Sequence, residues 1–188
     1  MKQTLVSEER VLEEVKKSIG ESLRINSASI ATESSLVDDL GAESLDFLDI
    51  NYRVEQIFGI KLARQLVLEH VEEIFGEGAA VDEGGRLTER GAQLLKIRWG
   101  DSAAASIRPG MELHQVTTVI TVRAMANGIL DILDTLPEKC VACASSSWKS
   151  EDGARIRCGK CGKDATFTNG DDLLKAWLRK VQDDQKIF

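Results

Sequence analysis

Proline is scarce in this chain: it occurs twice, at Pro109 and Pro137. Aromatic residues make up only 5% of the chain. Few breakers and few aromatics, among many Leu, Val, Glu and Ala, argue against a turn-rich β-sandwich and for a mainly helical fold. No apolar run is long enough to cross a bilayer. The opening "MKQTLVSEERVLEEVKK" has no apolar core followed by a cleavage site, so no secretory signal is expected and the expected compartment is the cytoplasm. Histidine is limited to His70 and His114, and cysteine does not occur before position 140. Net positive charge is also missing. The formal charge of −7 argues against tight nucleic-acid binding by the whole molecule, and no nucleic-acid partner is expected.

What is present is 188 residues with 43% hydrophobic content, enough to bury a core. The charge is uneven. Residues 1–62 carry 7 Lys/Arg against 12 Asp/Glu, residues 63–137 carry 7 against 11, and residues 138–188 carry 10 against 8. This shift, with Pro137 and all four cysteines beyond it, predicts a boundary there. The expected domains are a helical domain over 1–136 and a cysteine-bearing domain over 137–188.

Helical spacing accounts for most of the first domain. Ser7 is expected to cap a helix to about Arg24, with Val11, Leu12, Val15, Ile19 and Leu23 inward. Residues 25–43 lack a period and read as a long loop pinned by Ile30, Leu36 and Leu40. A second helix runs from Ser44 to about Phe58 and stops at Gly59. A third pattern covers 62–75, with Leu66, Val67, Val71, Ile74 and Phe75 on one side. "GEGAAVDEGG" (76–85) reads as a flexible loop. Thr88 is expected to cap a short helix ending at Trp99, 101–116 to be irregular, and a further helix to run from Thr118 or Thr121 to Leu133.

The stretch "DDLGAESLDFLDI" (38–50) sets one serine, Ser44, among acids. Serine is a common helix cap, and that accounts for it structurally. A nucleophile elbow needs G-x-S-x-G between strand and helix. Here no strand precedes Ser44, no second glycine follows, and no histidine is near in sequence, so hydrolase chemistry is not expected. On the second helix Phe47, Ile50, Val54, Ile57 and Phe58 form a core stripe. Leu45, Leu48 and Tyr52 fall between that stripe and solvent, rimmed by Asp39, Glu43, Asp46, Asp49 and Glu55. Two readings of this face stand level: a docking surface for partners with an apolar patch and basic rim, or an ordinary solvated helix side.

These residues also carry a resemblance. "DDLGAESLDFLDINYRVEQIFGIKL" (38–62) resembles the attachment region of the acyl carrier proteins, whose pattern is D-x-G-x-D-S-L followed by an acidic helix and F-x-[IV]. Asp39, Gly41, Ser44, Leu45, Phe58 and Ile60 match it. "VLEEVKKSIGESL" resembles the family's first helix and "TTVITVRAMANGILDIL" its last, so the resemblance covers roughly 7–62 and 117–134. "SLDFLDI…FGIKL" is most similar to the specialised carriers that handle very-long-chain acids for lipid A. The chain departs from the pattern at Glu43, where the family has aspartate, and in the much longer segment 63–116.

The resemblance implies a four-helix carrier bundle with a helical insertion over 63–116. It implies that Ser44 accepts 4′-phosphopantetheine from coenzyme A, delivered by a separate Mg²⁺-dependent phosphopantetheinyl transferase. Acyl-transfer, ketosynthase or acyl-activating enzymes would then be the partners and an acyl chain the cargo. The chain itself would be a substrate rather than an enzyme, and a monomer.

"CVAC" (140–143) and "CGKC" (158–161) are two C-x-x-C pairs. Their spacing points to a tetrahedral structural zinc held by Cys140, Cys143, Cys158 and Cys161; disulfides or a redox dithiol are the alternatives. Gly159 and Gly162 permit the second turn, and Asp152-Gly153, between Trp148 and Ile156, reads as a hairpin tip. This is the pattern of a zinc ribbon, with a docking role onto the carrier or a partner enzyme. Beyond it, Asp171 or Asp172 is expected to cap a helix to about Gln182 that packs on the ribbon. Two functions are therefore weighed: an acyl carrier with a metal-held tail, and a zinc-ribbon adaptor whose unmodified carrier-like domain only mediates protein interaction.

Overall fold

The computed structural model describes residues 2–100 and 106–188. Among them are seven α-helices and one two-stranded antiparallel hairpin, with a cysteine cluster at its base. The chain forms two compact units. One comprises Met1–Leu62 with Thr121–Gly170, the other Ala63–Ile120 with Asp171–Phe188. This division runs differently from the expected boundary at 136–137. The cysteine-bearing segment stays with the carrier-like helices, and the long insertion forms its own unit with the C-terminal helix.

In the first unit, α1 (Glu8–Leu23) starts at Ser7, whose side chain accepts the Arg10 N–H, and ends at Arg24 in a left-handed turn. A single 3₁₀ turn (Ser27–Ser29) interrupts the following loop. Ile30 and Leu36 pin that loop, both buried as expected. Helix α2 spans Ser44–Phe58 and stops at Gly59, also left-handed. Helix α6 (Val122–Leu133) is capped by Thr121. The loop 32–35 docks on the start of α6, where the Val122 and Arg123 N–H groups donate to Ser34 and Thr32 carbonyls at 3.1 and 2.9 Å. Val11, Val15, Ile19, Ile50, Val54, Phe58, Val122, Ile129 and Leu133 close the core among these helices. Burying such side chains contributes roughly 1.5–3 kcal/mol each.

The hairpin pairs β1 (Trp148–Lys149) with β2 (Arg157–Cys158), in the register Trp148 with Cys158. Its tip is longer than a two-residue turn. Asp152 Oδ1 organises it, accepting the Ala154 and Arg155 N–H groups at 2.9 Å each. Ala154 and Ile156 are buried.

The second unit contains α3 (Val67–Phe75), α4 (Glu89–Trp99), α5 (Leu113–Thr117) and, from its second residue on, α7 (Gly170–Gln185). Thr88 caps α4 as expected. The third helix starts at Val67, five residues later than its pattern suggests. The N–H groups of Arg64 and Gln65 are taken by Asp171 instead, at 3.0 and 3.2 Å, and Glu69 accepts that of Leu66 at 3.2 Å. Of the segment 101–116, which its sequence marks as irregular, 101–105 lie outside the described residues, and α5 begins within the remainder. The C-terminal helix corrects another expectation. Its Leu178 and Val181, with Ile187 beyond it, join Val67, Leu68, Val71, Leu94 and Leu95 in one core. It packs on the insertion. Phe75 and Phe188 stack with centroids 4.8 Å apart. His70 is fully buried, its Nε2 3.0 Å from Asp171 Oδ1.

Candidate functional sites

The loop ahead of Ser44 is held by short-range bonds. Ser35 N–H donates to Asp39 Oδ2 at 2.8 Å, and Asp38 N–H to Ser35 Oγ at 3.0 Å. Gly41 turns with φ +72°, a left-handed conformation that glycine adopts without steric cost, and Ala42 N–H returns to the Leu36 carbonyl at 2.8 Å. Glu43 precedes the helix, and Asp46 reaches back to accept its N–H at 2.8 Å. Ser44 is therefore not the cap. It is the first helical residue, exposed, with its neighbours doing the capping.

The unit that holds Ser44 contains no histidine, because His70 and His114 both belong to the other. The hydroxyl thus has no imidazole base from its own unit. It has instead the head of a fifteen-residue helix, whose first N–H groups and dipole favour a phosphate. An exposed hydroxyl in that position fits a phosphodiester-linked arm.

The face beyond Ser44 is largely as the sequence suggested. Leu45, Leu48 and Tyr52 are 78%, 60% and 61% exposed. Glu43 is exposed beside them. The acids are more occupied than expected. Asp39 and Asp46 hold the loop and the helix start, as above. Asp49 pairs with Arg53 Nε at 2.8 Å, which holds its carboxyl below the usual carboxylate range, and Arg53 also reaches Glu21 of α1 at 2.6 Å. Glu55 is the correction: it is 3% exposed and turned inward. Its carboxylate accepts the Leu62 N–H at 2.9 Å and lies 3.4 Å from Lys61 Nζ, so it takes no part in the exposed face.

The four cysteines come together. All four are free, and their sulfurs lie within 4.8 Å of one another. The nearest pairs cross between the two knuckles: Cys140 to Cys161 at 3.7 Å and Cys143 to Cys158 at 3.5 Å. A disulfide needs about 2.05 Å. Four sulfurs each about 2.3 Å from one tetrahedral ion stand about 3.8 Å apart, so the cluster fits a metal ion of zinc's geometry.

The two knuckles repeat one another. Ala144 N–H donates to the Cys140 carbonyl at 2.8 Å, as Gly162 N–H does to Cys158 at 2.9 Å. Cys140 N–H donates to the Ser145 carbonyl and Cys158 N–H to that of Lys163, both at 2.8 Å. Gly162 takes a left-handed φ of +74°, and Ala144 is held at +55° in the equivalent place. The N–H of Cys161, then that of Lys160, brings the Cys158 thiol down to about 6. The Ser145 N–H acts to lower Cys143, but desolvation and the three neighbouring thiols outweigh it and push that thiol up to about 11.

Sequence reasoning missed Arg155. Its guanidinium donates to the Gln56 carbonyl in the last turn of α2 and lies 3.6 Å from where a Cβ on Gly59 would be. It ties the hairpin to the helix that begins at Ser44. The contact joins residues ninety-nine positions apart, and no local pattern signals it.

Comparison with known proteins agrees with this geometry. Residues 13–72 match the family model described as a phosphopantetheine attachment site. The chain is 44% identical over 55 residues to the acyl carrier protein AcpXL of Rhizobium etli, which is 29% of this chain and 60% of that protein. AcpXL of Brucella melitensis is 42% identical over 55 residues, 29% of this chain and 59% of its own length. The acyl carrier protein of Thermotoga maritima is 38% identical over 58 residues, 31% of this chain and 72% of that protein. The chain thus spans about three-fifths of the AcpXL relatives that it matches. No solved structure is significantly similar to the chain. The likeness to AcpXL agrees with the specialised carriers suggested by the motif around Ser44, and the chain belongs to the acyl carrier protein family.

Proposed function

We propose that the chain is an acyl carrier that bears 4′-phosphopantetheine on Ser44 and presents acyl groups to enzymes of fatty-acid, lipid or polyketide-type biosynthesis. The observation that carries this reading is the position of Ser44: exposed, first in its helix, and relieved of capping by Glu43 and Asp46. In the loading step the Ser44 oxygen bonds to the β-phosphorus of coenzyme A, 3′,5′-ADP leaves, and the serine proton passes to a base on the transferase. When bound, the arm supplies a terminal thiol that holds acyl groups as thioesters. The chain's own residues hold and present. Asp39 and Ser35 fix the loop, the α2 dipole favours the phosphodiester, and Leu45, Leu48 and Tyr52 offer an apolar strip to partners. The chain is then a substrate of other enzymes, working in the cytoplasm, where four free thiols stay reduced. Cys140, Cys143, Cys158 and Cys161 hold one structural zinc.

The test is direct. The full chain and its Ser44→Ala variant are incubated with coenzyme A and a broad-specificity phosphopantetheinyl transferase, and intact mass is read. The wild type is expected to gain one arm and Ser44→Ala none. A wild type that never gains the arm would leave the adaptor reading instead.

A further inference from the structure

We infer that the docking strip of α2 does not end with the helix but continues onto the hairpin, giving a surface with an acidic pole at Ser44 and a basic pole at Arg155, Arg157 and Lys163. This rests on the proposed carrier role, which makes α2 the docking helix. The kind of partner it fits is a protein whose docking patch is itself bipolar: basic where it meets Ser44, apolar in the middle, acidic where it meets the hairpin.

The geometry follows from helical spacing. Leu45, Leu48, Tyr52, Gln56 and Gly59 recur at intervals of three and four and so share one side of α2. The first three are large exposed apolar residues, and Gln56 and Gly59 are also exposed. At its far end the strip meets Arg155, which bonds the Gln56 carbonyl and lies over Gly59. From Ser44 to Gly59 is about 22 Å at 1.5 Å per residue.

The charges at the two ends differ in sign. From Ile25 to Tyr52 the sequence has no Lys or Arg, and Asp38, Asp39, Glu43 and Asp46 gather around Ser44. At the other end Arg155 and Arg157 both pair with Asp164, at 3.2 and 2.8 Å, and Asp152 and Glu151 at the hairpin tip also act on Arg157. Over 148–164 five cations, Lys149, Arg155, Arg157, Lys160 and Lys163, stand against three acids, Glu151, Asp152 and Asp164, so positive charge is in excess, and Lys163 is exposed. A partner patch that is uniformly basic matches the first pole and is repelled by the second. Repulsion of that kind discriminates among partners as effectively as attraction.

The experiment uses the full chain and two fluorescein-labelled helical peptides with the same leucine stripe. One carries lysines at one end and glutamates at the other; the second carries lysines throughout. The double variant Arg157→Glu, Lys163→Glu is compared with wild type, because neither side chain bonds to α2. Lys160→Glu, Lys163→Glu is a second variant should the first lose its melting transition. At low salt the bipolar peptide is expected to bind the variant at least threefold more weakly than wild type, and the uniformly basic peptide to bind it more tightly. A spin label on the glutamate end should broaden amide signals of residues 155–163, and one on the lysine end those of 43–48. Equal affinities of each peptide for both proteins, or a glutamate end that broadens residues around Ser44, would overturn the inference. Pantetheinylation of Ser44 is measured in parallel. If that fails while the peptide polarity holds, the carrier reading falls and the strip stands; the converse result removes the strip alone.

Discussion

Glu55 and Leu62 are joined by a bond that turns the end of α2 back on itself: the buried Glu55 carboxylate accepts the Leu62 N–H at 2.9 Å. Removing an acceptor from a buried donor costs about 1–3 kcal/mol. Glu55→Ala is therefore expected to lower the denaturation midpoint clearly. Glu55→Gln keeps an acceptor oxygen and should lose less. Pantetheinylation per folded molecule should be unchanged in both, since Glu55 is absent from the exposed face. Chemical denaturation and intact-mass kinetics on the two variants measure this.

Glu55 also shows where sequence pattern stops. Helical period distinguished its neighbours well: Val54 and Phe58 are buried, Leu48 and Tyr52 exposed, as spacing predicts. Position 55 falls on the boundary of the core stripe, and a glutamate there reads as solvated. What draws it inward is the chain reversing after Gly59, which no periodicity encodes. The cysteines are the opposite case. Two C-x-x-C pairs specify their own knuckles through short-range bonds, so their convergence was legible without the fold. The bonds of Arg155 to Gln56 and of Asp171 to Arg64 and Gln65 span long sequence separations, and no local pattern signals them. Spacing marks the C-terminal helix as a helix, but its amphipathic face carries no sign of which segment covers it.

Asp171 is the clearest test of the second unit. It accepts the N–H groups of Arg64 and Gln65 and faces the buried His70. Burial acts to raise its pKa, but the Arg64 and Gln65 N–H groups, with His70, outweigh that and hold it below the ordinary value. A carboxyl depressed in the folded state adds stability above its unfolded pKa of about 3.9, lost as pH falls through the lower folded value. Asp171→Ala is expected to destabilise the start of α3 at neutral pH, with faster amide exchange at Arg64 and Gln65. Asp171→Asn, with one acceptor oxygen, should fall between. The gap between wild type and Asp171→Ala should be full near pH 6 and shrink below pH 4. Thermal melts across that range check it.

Metal removal should reach further than the hairpin. A cysteine-bearing domain bounded at 137 would unfold on chelation and leave the carrier helices intact. The hairpin, however, belongs to the same compact unit as α1, α2 and α6. Arg155 holds the last turn of α2, and the buried Ala154 and Ile156 leave apolar positions to be re-exposed. One zinc per chain is expected by elemental analysis. Chelation should lower the melting temperature of the first unit and speed amide exchange in the last turn of α2, because metal binding supplies folding energy to whatever it organises. Loss of hairpin structure with unchanged exchange at residues 55–59 would show that the hairpin is only appended.

The acids near Ser44 should separate by role under mutation. Asp46 accepts the Glu43 N–H, so Asp46→Lys removes a helix-start bond and should cost about 1 kcal/mol of stability. Asp49 pairs with Arg53 on an exposed surface, so Asp49→Lys should change the melting point little. Both should slow modification by the transferase if basic groups steer it toward α2, and both deficits should shrink as salt screens the interaction. Leu48 is 60% exposed, and Leu48→Ala uncovers no core. It should slow the same step equally at low and high salt, since the contact it removes is apolar. Modification rate against ionic strength for the three variants separates these effects. A rate unaffected by Leu48→Ala would mean that the exposed strip is not where the transferase rests.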